Sequence, residues 1–307
     1  MKISIVTTLY NSSKYIRQFY NESIEALKAL SVDQYEIIFV DDGSQDDSLD
    51  IAIELTELDP NIITIELSQN FGHHKAIMTG LRKATGDYVF FVDSDLQERP
   101  NLLVDFYQTL IKENVEVVYG IQESRRGSLF EKISGILFYK LFNMLSEVKI
   151  PKNMLNVRIM TKIYVENLTL HDEKAIFLAG IWTITGFNQR PKVVVRTPKQ
   201  STSYTLRKKL SLMVSGVASF SNKPLIMVFY IGLFICAAAF LSMIYILYLY
   251  YQGVSVPGYL STIASTWLIG GILLLCQGIM AIYLAKIFEE VKNRPSTIIK
   301  KTHGKEQ

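Results

Sequence analysis

Two uncharged apolar runs near the carboxyl end constrain this chain more than any other feature. Residues 225–251 read LIMVFYIGLFICAAAFLSMIYILYLYY, and residues 260–285 form a second run, with no Asp, Glu, Lys or Arg in either. Each exceeds the roughly 20 residues needed to cross a hydrocarbon core. A buried core helix rarely runs so far without a charge, so both are expected to span a membrane. The connector, 252–259, has no Lys or Arg and contains Gly253, Pro257 and Gly258, which reads as a tight hairpin loop. Arg207, Lys208, Lys209 and Lys223 precede the first run; Lys286, Lys292, Arg294, Lys300 and Lys301 follow the second. Positive flanks at both outer ends place both ends in the cytoplasm. Tyr248, Tyr250, Tyr251 and Tyr259 fit an aromatic belt at the far interface. Basic residues and then Leu210, Leu212, Met213, Val217 and Phe220 suggest an amphipathic helix on the inner leaflet. An ordinary helix packed on the soluble part is the alternative.

The first two-thirds of the 307 residues reads differently. β-rich runs at 2–8, 35–40, 62–67, 88–92 and 115–119 alternate with helical spacing at 14–30, 46–58, 75–84 and 102–112. Ser44, with Asp47 three residues on, is expected to cap the second helix. Such alternation predicts an α/β domain with a mostly parallel sheet covered on both faces. The amino-terminal apolar run, 1–6, is too short for a secretory signal. A net charge of +3 gives no reason to expect nucleic acid. Cys236 and Cys276 lie inside the apolar runs and match neither a zinc site nor a redox pair.

In open α/β sheets ligands bind beyond the carboxyl ends of the strands. The polar clusters stand there: Thr8-Leu9-Tyr10-Asn11, Asp41-Asp42 and Asp93-Ser94-Asp95. Carboxylates at i and i+2 on a turning backbone can hold one hard divalent cation and leave positions for diphosphate oxygens. Asp42 can accept hydrogen bonds from a base or ribose, and Tyr10 can pack against the base. Turn chemistry before Gly43 is the plainer alternative for Asp41 and Asp42. The pair His73-His74 reads as a surface or helix-capping feature, with a substrate-facing helix start as the alternative.

The segments VTTLYN, VDDGSQDDS, NFGHHKAIMTGLRKATGDYVFFVDSDLQERP and VVYG resemble family 2 glycosyltransferases of the GT-A fold. With NVRIM, FLAG, ITGF, SYTLRKKLSLMVSGVASFSNKPL and YLAKIFEEVKNRP, the resemblance covers nearly the whole chain. It is strongest to the polyprenyl-phosphate group, which includes bactoprenol glucosyltransferases and dolichyl-phosphate mannose synthases. The resemblance implies a Rossmann-like GT-A domain over 1–205 and a juxtamembrane amphipathic helix over 206–224. A two-helix transmembrane hairpin over 225–287 and a basic cytoplasmic tail over 288–307 follow. It implies that Thr8, Tyr10, Ser12 and Asp42 line the nucleotide pocket, that Asp93 and Asp95 bind Mg²⁺ or Mn²⁺, and that Gln97 lies beside them. Arg125, Arg126 and Arg158 would face the acceptor phosphate or the leaving diphosphate, and Asp95, Arg158 and Asn156 form the implied catalytic set.

The chain departs from the family pattern at Thr8, usually Pro, at Ser12, usually Glu, and at Gln122, commonly Arg. Asn156 stands where relatives carry an Asp that is a candidate base, and an amide cannot take a proton. A phosphate acceptor is already an oxyanion and needs no strong base. Glu173 is a fallback base. The Gln/Arg-x-x-Arg-Trp motif of processive synthases is absent. The implied reaction is therefore an inverting, single transfer from a nucleotide-diphosphate sugar, UDP favoured, to a polyprenyl phosphate at the plasma membrane. Transfer to a hydroxyl of a lipid-linked saccharide, or nucleotide-sugar binding without turnover, stay open. So does a homo-oligomer, since two spans bury little surface on their own.

Overall fold

The structure is a computed structural model that describes residues 1–122, 151, 153–174, 177–195, 221–253 and 258–304. The expected amphipathic helix, apart from its last residues, and the Arg125-Arg126 loop lie outside the described residues.

Eight strands form one sheet: β1 (Lys2–Leu9), β2 (Gln34–Asp41), β3 (Ile62–Leu67), β4 (Tyr88–Phe91), β5 (Val117–Ile121), β6 (Met154–Thr161), β7 (Gln189–Val193) and β8 (Ile299–His303). Their order is β7-β5-β6-β4-β1-β2-β3-β8. The centre, β3-β2-β1-β4, is parallel throughout. β6 joins β4 antiparallel, β5 pairs antiparallel with β6, and β7 runs parallel to β5. The central strands are buried at most positions because both faces are covered. One face carries Ile3, Ile5, Phe39 and Phe90, packed with Phe19 of α1 (Ser13–Ala29) and Phe106 of α4 (Leu102–Glu113). α2 (Ser48–Leu58) adds Ala52 and Leu55. The other face carries Val6, Ile38 and Phe91 with Met78 of α3 (His73–Lys83), Tyr164 of α5 (Lys162–Thr169) and Trp182 of α6 (Leu178–Ile184). Ile5 and Val6, or Phe90 and Phe91, go to opposite faces because strand side chains alternate.

Ser44 does not cap α2. The helix begins after Asp47. Asp46 meets the demand instead, accepting from the Ser48 amide and hydroxyl and from the Ser13 amide. Ser44 Oγ accepts from the Asn11 amide at 3.1 Å, which sews the β1 loop to the β2 loop.

The carboxyl-terminal part holds two long helices, α7 (Lys223–Tyr251) and α8 (Tyr259–Val291). Both are long and apolar enough to cross a membrane, and neither apolar window is buried in the fold. Phe229, Phe234, Trp267 and Leu275 face outward. A continuous exposed apolar surface of that kind marks membrane association. Tyr283 Oη donates to Ser221 O at 2.6 Å, so the end of α8 lies beside the start of α7.

The segment expected as a basic tail contains a strand. β8 pairs antiparallel with β3, Ile299 opposite Leu67 and His303 opposite Thr64. Lys300 Nζ meets Glu66 Oε1 at 2.6 Å, and Thr297 Oγ1 lies 2.8 Å from Thr79 Oγ1 on α3. The chain leaves the sheet, passes through both apolar helices, and returns to the edge of the same sheet.

Candidate active site

The rim at the carboxyl ends of β1, β2 and β4 is built by backbone turns that side chains lock in place. After β4, Ser94 turns inward and donates to Thr8 O at 2.9 Å, with Ser12 Oγ at 3.2 Å. That leaves Asp93 and Asp95 on the outer side of the turn, where Leu96 takes a left-handed φ of 57°. Gln97 fixes Asp95 through its amide (3.2 Å) and its Nε2 (2.5 Å). β6 runs antiparallel, so its amino end reaches the same rim. Arg158 lies opposite Phe91, and two steps further Asn156 comes to Asp93, with Nδ2 3.4 Å from Oδ2.

α3 supplies the fourth side. Gly80 lets it lie close on the sheet, since a Cβ there would stand 2.5 Å from Val6 Cγ1 and 2.9 Å from Val40 Cγ2. Its first residue, His73, lies with Nε2 3.2 Å from Asp93 Oδ1 and Nδ1 3.1 Å from Thr8 Oγ1. Burial lowers the His73 pKa, but Asp93, Asp42 and Asp95 outweigh it and hold the imidazole above its ordinary value. The sequence pattern reads this ring as a surface or helix-capping group. Its signal was the NFGHHKA segment, but nothing in the spacing places residue 73 beside residue 93.

Other expected site residues fall into distinct places. Tyr10 is 52% exposed, an aromatic face open at the rim. Thr8 is buried beneath it against His73, and Ser12 is buried in the loop, its amide donating to Ser48 Oγ at 2.7 Å. Asp42 is engaged by the amides of Phe71 (2.7 Å) and Gly72 (3.0 Å), so it holds the turn that starts α3. Burial raises the pKa of Asp42 and of its neighbour Asp41, only partly offset by backbone amides.

Arg158 does not reach the rim. It is fully buried, with its guanidinium 3.1 Å from the centre of the Trp182 ring. Nε donates to Asn156 O at 3.1 Å and Nη2 to Leu155 O at 3.3 Å. Burial pushes its pKa down to about 9, which leaves it a cation at neutral pH. A buried cation on an aromatic face that grips the 155–156 backbone is a support for Asn156, in place of the expected phosphate contact. Glu173 packs near the end of the second long apolar helix. Burial and then Glu290 raise its pKa, and the amide of the next residue, Lys174, donates to Glu290 Oε1 at 2.8 Å, at the end of α8. The adjacent Asp172 pairs with Arg82, at the end of α3 opposite His73.

Among the described residues, no three His, Cys, Asp or Glu side chains form a cluster able to cage a metal alone. The rim suits a cation that arrives with phosphate oxygens, which needs only one or two carboxylates. Asp93 Oδ1 fits that use: it is buried and has the His73 ion-pair contact without a formed hydrogen bond.

The sequence matches the family model described as Glycosyl transferase family 2 over residues 4–170. It is 42% identical over 306 residues to a Mycobacterium tuberculosis protein described as "Putative glycosyltransferases", covering 99% of this chain and 89% of that protein. It is 33% identical over 308 residues to the SfII prophage-derived bactoprenol glucosyl transferase of Shigella flexneri, covering 99% of each. Among solved structures, S. aureus TarS in complex with UDP aligns with a TM-score of 0.45 and 20% identity, over 71% of this chain and 65% of that one.

Proposed function

This chain belongs to glycosyl transferase family 2, and on that premise we propose that it transfers one sugar from a nucleotide-diphosphate sugar, UDP-linked by preference, to a polyprenyl phosphate. The name of the Shigella flexneri relative supports the lipid acceptor. The observation that carries it is the chemistry at position 156. The rim offers Asn156 as a donor to Asp93, where a hydroxyl acceptor would call for a base. A phosphate monoester is an oxyanion at neutral pH, because its second pKa is about 6. Its oxygen attacks the anomeric carbon, that C–O bond forms, and the bond to the diphosphate breaks with its electron pair. No proton moves, and a single displacement inverts the anomeric centre.

Asp93 and Asp95 would hold Mg²⁺ or Mn²⁺ against the diphosphate, and the cation would offset charge on the leaving nucleoside diphosphate. Tyr10 offers its exposed face to the base. Asp42 and Gln97 keep the α3 turn and Asp95 in position, while Thr8 and Ser12 support the pocket from below. Arg125 and Arg126 remain the proposed contacts to the acceptor phosphate.

The same reading makes the protein multi-pass, with the catalytic domain (1–205), the juxtamembrane segment (206–224) and the carboxyl terminus (288–307) on the cytoplasmic side of the plasma membrane. The return of β8 to the sheet supports it, since an even number of crossings must separate β7 from β8. The basic flanks then set which side.

Purified full-length protein, incubated with nucleotide sugars and undecaprenyl phosphate, should give a sugar-phosphate lipid detectable by mass spectrometry. Turnover only on the hydroxyl of a lipid-linked saccharide would overturn the acceptor. Nucleotide binding without any transfer would overturn catalysis itself.

A further inference from the structure

His73 and Asn156 approach the two oxygens of one carboxylate from separate elements. Nε2 of the ring lies 3.2 Å from Asp93 Oδ1, and the Asn156 amide nitrogen 3.4 Å from Oδ2. The two nitrogens are 3.3 Å apart. The tautomer with hydrogen on Nε2 points that N–H toward Oδ1, an ion-pair approach without a formed hydrogen bond, whereas the other tautomer would accept the Asn156 amide hydrogen on Nε2. Thr8 Oγ1 stands 3.1 Å behind the ring, where its hydroxyl can donate to Nδ1 and fix the tautomer that presents Nε2–H. Each prong has its own support. Asp42 holds the amides just before His73, and Arg158 holds the carbonyls of Leu155 and Asn156. Nothing in the transfer step itself requires either prong.

We propose that His73 and Asn156 form a positioning clamp on Asp93, imidazole on Oδ1 and carboxamide on Oδ2, which fixes the rotamer that meets the metal–diphosphate. This rests on the reading of Asp93 as a ligand of that cation. The clamp gives Asn156 a definite job. An aspartate in its place would set two carboxylates about 3.4 Å apart, and like charges at that distance repel. Neither residue needs to exchange a proton. Both act as groups that orient a ligand from outside the coordination shell, where substitution costs about 10–100-fold in metal affinity.

The experiment measures Mn²⁺ binding to the full-length protein in nanodiscs, by the free-ion paramagnetic resonance signal, with UDP present. His73→Ala should weaken Mn²⁺ binding about tenfold while the melting temperature stays at the wild-type value. His73→Gln, whose side-chain amide can donate to the same oxygen, should recover most of that loss. Asn156→Ala should weaken Mn²⁺ binding by a similar factor, because it removes the amide that approaches Oδ2. Affinity within twofold of wild type in His73→Ala, or no recovery in His73→Gln, overturns the clamp while leaving Asp93 a ligand. Wild-type protein that binds UDP but no Mn²⁺ overturns the reading of Asp93, and the clamp with it.

Discussion

Glu36 and Asp93 stand at opposite ends of the same parallel strands and are treated in opposite ways. Glu36, near the amino ends, accepts from Ser4 Oγ (2.5 Å), the Thr85 amide (2.6 Å) and Thr85 Oγ1 (2.8 Å), and meets Lys2 Nζ at 2.9 Å. Burial raises its pKa, but Lys2, Ser4 and Thr85 outweigh that and hold it below the ordinary value. At the rim, Asp41, Asp42, Asp93 and Asp95 crowd together, and Asp41 Oδ1 and Asp93 Oδ1 are buried without a formed hydrogen bond. There burial prevails, and Asp41 and Asp42 are pushed up. One carboxylate is spent on holding the sheet together. At the rim, the hydrogen bonds to Asp41 and Asp42 offset less than burial demands, a pattern typical of functional sites.

Substitution should separate the two ends cleanly. The largest effect is expected from Asp95→Asn. On the proposed reading Asp95 would hold the cation that offsets charge on the leaving diphosphate, and losing it should cost several kcal/mol of transition-state stabilisation, about 10³-fold in turnover, with the melting temperature unchanged. Retention of more than a tenth of wild-type turnover would remove Asp95 from the reaction. Glu36→Ala should do the reverse. Breaking a buried, hydrogen-bonded ion pair costs about 3 kcal/mol, or roughly 6–12 °C in melting temperature for a domain of this size. Donor affinity, measured by calorimetry with UDP, should not move; if it fell in parallel with stability, the two ends would not be independent.

The rim was legible because its residues follow strands that are buried on both faces. Val89 to Val92 must be buried, so Asp93-Ser94-Asp95 must emerge at an edge, and the same logic delivers Asp41-Asp42 and Tyr10. The α/β alternation likewise placed β1 to β4 and the helices between them within two residues. What stayed hidden depends on contacts distant in sequence. β8 reads Ile-Lys-Lys-Thr-His, with no apolar face, and becomes a strand because β3 has an open edge and Glu66 awaits Lys300. Arg158 looks like a rim cation until Trp182, 24 residues later, supplies the aromatic face that buries it. His73 looks like a surface residue until Gly80 brings α3 onto Val6 and Val40. Ser44 had the spacing of a cap, but Asp46 stands nearer the amides that needed one.

The smaller effects test the contrast through pH. A carboxylate held below its unfolded value contributes stability above that value, about 4.3 for Glu, and loses it as pH falls through the folded pKa. Thermal melts of the wild type should therefore drop between about pH 5 and pH 3, and Glu36→Gln should flatten that part of the curve. Asp41 has the opposite sign. Its raised pKa means that stability is present below the unfolded value and is lost as pH rises through the folded one. At neutral pH the ionised side chain therefore works against the fold. Asp41→Asn mimics the neutral form and keeps an oxygen for the Ser44 amide. It should raise the melting temperature by about 1–3 °C, the usual size of the gain when an unfavourable buried charge is removed. A lower melting temperature would mean that Asp41, like Glu36, is held for the fold, and the division between the two ends of the sheet would then run through the rim itself.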